Sequence, residues 1–368
     1  LNLKLRASAR LTHPDERVGL SAHDFAQLAN AEEVFLLRSK RTGDQPSVAS
    51  RWLWRLETLA AGGLQDAEEA GRLLRERGRS VLALARRLRS VTDVSPAAPP
   101  RPTPPVERRR LHDLSPSRVQ RLMTDPYADY ARTVLGLKPL RRPGQPMDPA
   151  ARGDAVHKAV EAFEKANGAT PLEELIAANL LEAGHCPDML ELERPLWRRA
   201  ATQYRRWREG RAKRVRDCAI EASAAITLET KVGPVRLFAK ADRIELLDDG
   251  TLAIIDFKTG APKKIKDVGS GLEPQLPLEA AIAAGAAFGN IPPALTSELI
   301  YMPISTRRSL SMDEDAGSPL NFGAVSVASL ADQALQGVIR LVETYADPSY
   351  PYAPIQRSGP NRVRSDFD

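Results

Sequence analysis

Thr251-Leu-Ala-Ile-Ile-Asp256-Phe-Lys258-Thr-Gly260 decides how the rest of the chain is read. Its apolar run, Leu252 to Ile255, follows the turn signal Asp248-Asp249-Gly250 and stops at Thr259-Gly260, which predicts a short buried strand. Side chains alternate along a strand, so Asp256 and Lys258 share one face at its end while Phe257 points into the opposite layer. Val235 to Leu246 predicts a second strand carrying Asp242, and the Asp-Asp-Gly turn makes the two a hairpin. That pairing brings Asp242 and Asp256 within reach of one cation. Two carboxylates holding Mg²⁺ or Mn²⁺ beside a lysine suit hydrolysis of a phosphodiester: they neutralise charge, activate a water and place a cation near the charge that develops at phosphorus.

Outward from this hairpin, Ser223 to Val232 predicts another strand, joined to the Asp242 strand by Gly233-Pro234. Gly153 to Lys165 predicts a helix with His157 and Glu161 at i and i+4, one above the other on one face. Gln275 opens an alanine-rich helix, Leu278 to Phe288; Ser297 to Ile304 reads as a further strand and Leu330 to Tyr345 as a closing helix.

Four segments then fall into a known order. Gly153-Asp-Ala-Val-His157, Lys240-Ala-Asp242-Arg-Ile-Glu245, Ile255-Asp256-Phe-Lys258-Thr-Gly260 and Gln275-Leu-Pro-Leu-Glu279-Ala together resemble the RecB-type branch of the PD-(D/E)XK nucleases. The resemblance implies an α/β fold of the restriction-endonuclease-like kind, a mixed sheet flanked by helices, and Mg²⁺- or Mn²⁺-dependent cleavage of DNA, in exonuclease mode. It assigns metal ligation to Asp242, Asp256, His157 and the Phe257 carbonyl. Lys258 would orient the attacking water or steady negative charge, Gln275 would position Lys258 or DNA, and Glu161 would be a neighbour of the ligands. In the family a tyrosine usually stands four residues after the glutamine; here it is Glu279, whose role is left open.

The family also shows a Ser-x-Ser helix start leading to a Cys-Pro pair that can ligate an iron–sulfur cluster. Ser115-Pro116-Ser117 matches the start, but Asp125-Pro126 stands at the pair, and a four-iron cluster requires four thiolates where this chain has two. No iron–sulfur cluster is expected.

Residues 1–94 read as helical, over Ala22–Ala31, Ser50–Ala61 and Asp66–Arg89, with the leucines of the last run packing on a neighbour. Val18 to Phe25 and Ser50 to Leu56 resemble the end of the helicase-like region of bacterial AddB proteins, just before their nuclease part. By that resemblance the chain would serve double-strand-break repair beside an AddA-like helicase–nuclease partner. The competing reading is a nuclease-like subunit that binds DNA or scaffolds without cleaving. Residues 95–107, crowded with proline, read as a semi-rigid linker, and 108–368 as the nuclease domain.

The 368 residues are 42 % hydrophobic and 27 % charged, ordinary for a soluble protein, and the net charge of +6 favours an anionic partner, here DNA. No apolar stretch is long enough to span a membrane, and two cysteines, Cys186 and Cys218, make no disulfide framework, so a cytoplasmic location is expected. The first residue is Leu, and the chain reads as a fragment. Residues 171–216 read as helical with Trp197, Tyr204 and Trp207 turned to the core. That leaves arginines, among them Arg198, Arg205, Arg208 and Arg211, either as a phosphate-facing stripe or as a solvated face. Lys263 and Lys264, in a loop after the Asp256 strand, suit phosphates or solvent equally.

Overall fold

The computed structural model describes residues 13–42, 45–63, 67–89, 98–138, 147–261, 263–307 and 316–354. The chain divides into two units, Leu1–Ala97 and Ala98–Asp368.

The first unit carries α1 (Pro14–Ala29), α2 (Arg51–Gly63) and α3 (Ala67–Arg89), with a two-residue ladder of Arg41–Thr42 against Gln45–Pro46. Trp52 donates to Ser21 across this unit. Of the α3 leucines expected to pack on a neighbour, Leu73, Leu82, Leu84 and Leu88 are exposed.

In the second unit a 3₁₀ turn, Val106–Arg109, leads to β1 (Asp113–Leu114), α4 (Pro116–Thr124) and α5 (Pro126–Asp129). Then come α6 (Pro149–Lys165), α7 (Leu172–Glu182), α8 (Pro187–Arg211), β2 (Val215–Thr230), β3 (Gly233–Leu247) and β4 (Leu252–Lys258). The order closes with α9 (Ile265–Gly269), α10 (Gln275–Gly285), β5 (Thr296–Pro303) and α11 (Val327–Ala346).

β2 pairs antiparallel with β3 along nearly its whole length, so the other edge of β3 is shared, by β1 in parallel near its start and by β4 antiparallel near its end. β5 lies parallel to β4, and the connection between them runs through α9 and α10, as a parallel pair requires. Gly250, at φ 80°, makes the tight β3–β4 turn, and the Asp249 carboxylate accepts from the Thr251 amide at 2.9 Å.

β4 shows why its sequence is apolar on both faces. Ala253, Ile255 and Phe257 pack with α6, α7 and α8, while Leu252 and Ile254 pack in the opposite layer with α4, α10 and α11. This five-stranded mixed sheet between helical layers is consistent with a restriction-endonuclease-like fold. No helix of the described residues is long and apolar enough to cross a membrane.

Three expectations need correction. The helical reading of 171–216 is broken at Gly184, whose φ of 90° ends α7, and α8 stops at Arg211, leaving Arg216 on β2. The strand predicted from Ser223 begins at Val215, so Glu221 lies inside it. The proline-rich stretch is no free tether from Pro102 onward: the Tyr352 amide donates to Pro102, Pro104 is buried, and the buried Arg109 guanidinium gathers carbonyls from Pro104, Tyr345, Asp347, Pro348 and Tyr350.

Candidate active site

Three strands place a carboxylate each at one level of the sheet. Ile220 pairs with Arg243 and Arg243 with Ile255, so the next residues, Glu221, Asp242 and Asp256, form a row across β2, β3 and β4. Tyr301 on β5 continues it, paired with Asp256.

Asp242 is fixed from two sides. Its Oδ2 accepts from the Phe257 amide at 2.7 Å, and its Oδ1 lies 3.3 Å from Nδ1 of His157. α6 delivers that histidine: Asp148 caps the helix by accepting from the Ala150 amide, Pro149 opens it, and Ala155, Val156, Ala159 and Val160 anchor its buried face. His157 Nε2 sits 3.0 Å from the Phe257 carbonyl oxygen. Both ring nitrogens thus face acceptors. Burial works to lower the His157 pKa, but the hydrogen bond and charge of Asp242, with Asp256 and Glu221, outweigh it and the net shift is upward. Glu161 does not join them; it pairs with Lys165 at 2.7 Å.

Asp256 is 2 % exposed. Its Oδ2 meets the Lys258 ammonium and its Oδ1 accepts from Gln275 Nε2 at 2.7 Å. Burial, reinforced by Asp242, pushes its pKa up to about 6 against the opposing pull of Lys258 and His157. Lys258 also lies 5.6 Å from the centre of the Tyr301 ring. Gln275, first residue of α10, reaches back to Glu279 Oε1 at 3.2 Å as well. Burial above all, then Asp256 and Asp242, holds the Glu279 pKa well above the carboxylate range.

The four residues predicted to carry the chemistry, Asp242, Asp256, Lys258 and Gln275, therefore meet, together with His157 and the Phe257 carbonyl. Sequence reading missed Glu221. The ligand atoms of His157, Glu221 and Asp242 lie within 4.8 Å of one another. The signal was present as a lone acid in the run Ala219-Ile-Glu221-Ala-Ser-Ala, but the predicted strand started two residues later. The donor set suits a hard divalent ion. Carboxylate and carbonyl oxygens with one imidazole fit Mg²⁺ or Mn²⁺, and octahedral bonds of about 2.1 Å put ligand atoms about 3 to 4 Å apart. The buried Asp256 Oδ2 has no hydrogen-bond partner beyond its ion pair with Lys258.

The predicted phosphate contacts separate. Arg211 is buried, its guanidinium on Glu245 at 2.6 Å and Glu298 at 2.9 Å, and so is withdrawn from any DNA-facing stripe. Arg208 is held by Glu164 at 3.0 Å and Asn167 at 2.9 Å. These belong to a charged network under α8 that also ties Arg243 to Glu164 and Glu245. Arg198 remains exposed, Arg205 donates to Thr202, Lys263 pairs with Glu273, and Lys264 is exposed. Trp197 and Tyr204 are buried as expected, and Trp207 donates to the Gly317 carbonyl.

The sequence profile of the PD-(D/E)XK nuclease superfamily matches residues 113–358. The chain belongs to the PD-(D/E)XK nuclease superfamily. Curated relatives include an uncharacterized protein of Rickettsia conorii (strain ATCC VR-613 / Malish 7), 23 % identical over 181 residues, 45 % of this chain and 21 % of that protein. An uncharacterized protein of Rickettsia typhi (strain ATCC VR-144 / Wilmington) is likewise 23 % identical over 181 residues, 45 % of this chain and 20 % of its own length. The chain thus spans about a fifth of the curated relatives it matches. Among solved structures, the crystal structure of SSO0001 aligns over 71 % of this chain and 80 % of that one, at 11 % identity and a TM-score of 0.28. Nucleases of this superfamily use divalent metals, in keeping with the donor set gathered around Asp242.

Proposed function

We propose that this chain is a Mg²⁺- or Mn²⁺-dependent deoxyribonuclease acting on DNA ends, and that it works in double-strand-break repair as the AddB-like subunit beside an AddA-like helicase–nuclease. The observation that carries the nuclease reading is the row Glu221, Asp242 and Asp256 with Lys258 and His157, inside a region that matches the superfamily.

His157, Glu221, Asp242, Asp256 and the Phe257 carbonyl would hold the metal, which when bound supplies charge neutralisation and an acidified water. The protein's own residues do the rest. Asp242 is locked by the Phe257 amide, so its carboxylate needs little reorganisation. Lys258 leaves the same face as Asp256 and carries the cation that orients water or meets charge developing on the phosphate. Gln275 fixes the Asp256 carboxylate plane through Oδ1 and leaves Oδ2 toward Lys258. A subunit that only binds or scaffolds DNA has no physical use for this set of charges.

The test is incubation of purified protein with labelled single- and double-stranded DNA, with and without Mg²⁺. Metal-dependent cleavage that Asp256→Ala abolishes is the expected result. DNA binding without cleavage would return the non-catalytic reading.

A further inference from the structure

Lys240 stands two residues before Asp242 on β3, so the two side chains leave the strand on the same side. Two residues on from the row of carboxylates, β3 carries Lys240 and β4 carries Lys258, one lysine per strand. Lys258 answers Asp256. Lys240 answers Glu221, with its ammonium 2.5 Å from Oε2. The two partners differ in access: the Glu221 side chain is 14 % exposed and that of Lys240 55 %. The anions acting on Lys240 are Glu221 first, then Glu161 and Asp242.

A divalent ion drawn to His157, Glu221 and Asp242 would claim the carboxylate charge that now neutralises this ammonium, and the two cations repel each other at such range. Once that charge is claimed, Lys240 is left solvent-facing beside the row of carboxylates. The anion the reaction brings there is a phosphate of the DNA backbone.

We propose that Lys240 exchanges partners during the cycle, neutralising Glu221 while no metal is bound and gripping a backbone phosphate next to the scissile one once metal has taken Glu221. This rests on the nuclease reading above. The exchange breaks and forms no covalent bond and needs no other reactant. It makes Lys240 a substrate-contacting residue whose charge opposes metal binding and favours DNA binding.

The opposed signs make the test. Lys240→Met keeps the aliphatic stem and, at an exposed position, the fold. Calorimetric titration with Mn²⁺ in the absence of DNA should show the variant binding metal roughly three- to ten-fold more tightly. Fluorescence anisotropy of labelled DNA in Ca²⁺ should show several-fold weaker binding with a shallower salt dependence, and in Mg²⁺ the KM for DNA should rise while kcat stays within a few-fold. Lys240→Arg should restore wild-type DNA affinity and metal affinity together. Metal affinity that is unchanged or weakened in Lys240→Met overturns the exchange, and unchanged DNA affinity overturns the phosphate contact. A wild-type protein that cleaves nothing yet gives both titration results sinks the catalytic reading alone. One that binds neither Mn²⁺ nor DNA sinks both.

Discussion

Glu221 and Asp242 face one another across the β2–β3 ladder at the level where both strands change the face they bury. On β3 the core residues are Val235, Leu237, Ala239 and Ala241 before this level and Ile244 after it; on β2 Ala219 and Ala222 both reach the same core from opposite sides of Glu221. Glu221 makes the change with φ at 53°, in the left-handed region, although the strands keep a single register from Asp217 to Thr230. A non-glycine residue held there costs on the order of 1 kcal/mol, and it is retained where it brings an acid to Asp242 and His157.

Glycine adopts that φ without penalty, so Glu221→Gly separates strain from function. The variant should be as stable as the wild type or more stable by about 1 kcal/mol in urea unfolding without metal. Its Mn²⁺ affinity should fall by at least about tenfold. Loss of stability with metal affinity intact would make Glu221 a purely structural residue.

Asp256 links the site to pH. Its pKa is raised to about 6 by burial, so in metal-free protein the charged carboxylate is a burden that grows as pH rises through 4 to 6 and is fully present above. Asp256→Asn removes that burden. In EDTA the variant should gain stability over the wild type by roughly 2 to 3 kcal/mol at pH 8, shrinking towards zero near pH 4.5. A pH-independent difference would contradict the raised pKa.

The arginines of α8 should behave as two classes. Arg211→Gln removes one of two cations from each of Glu245 and Glu298, which keep Arg243 and Arg214, and should cost about 2 kcal/mol of stability. Arg198→Gln with Arg205→Gln should leave stability unchanged and, if both meet phosphates, make the slope of log DNA affinity against log salt shallower by about one unit per contact. An unchanged slope assigns that face to solvent.

Gln275 donates both to Asp256 Oδ1 and to Glu279 Oε1, so any effect of Glu279 on the site would run through Gln275. Glu279→Gln keeps an acceptor in the same place and should leave kcat within a few-fold. Glu279→Leu removes it, frees the Gln275 amide and should lower kcat about tenfold, the worth of one hydrogen bond, with little change in KM for DNA. Equal kcat in the two variants would show that the contact does no positioning.

Residues close in sequence, with the motif resemblance, announced most of the fold and every site residue but Glu221. The β3–β4 hairpin follows from an apolar run, a two-residue period and an Asp-Asp-Gly turn, all local signals, and with it come Asp242, Asp256 and Lys258. Gln275 and His157 were legible only through the family resemblance, on a glutamine that opens a helix and a histidine four residues after Gly153. What only tertiary structure decided depends on pairing at a distance. Glu221 enters the site because β2 registers against β3 and a left-handed residue turns its side chain over, and no pattern within β2 encodes that. Arg211 leaves the DNA-facing set because Glu245 and Glu298, remote in sequence, converge on it beneath α8. Charge counted along a chain is blind to such partners, because neutralisation is set by distance in space, and burial then makes each pairing obligatory.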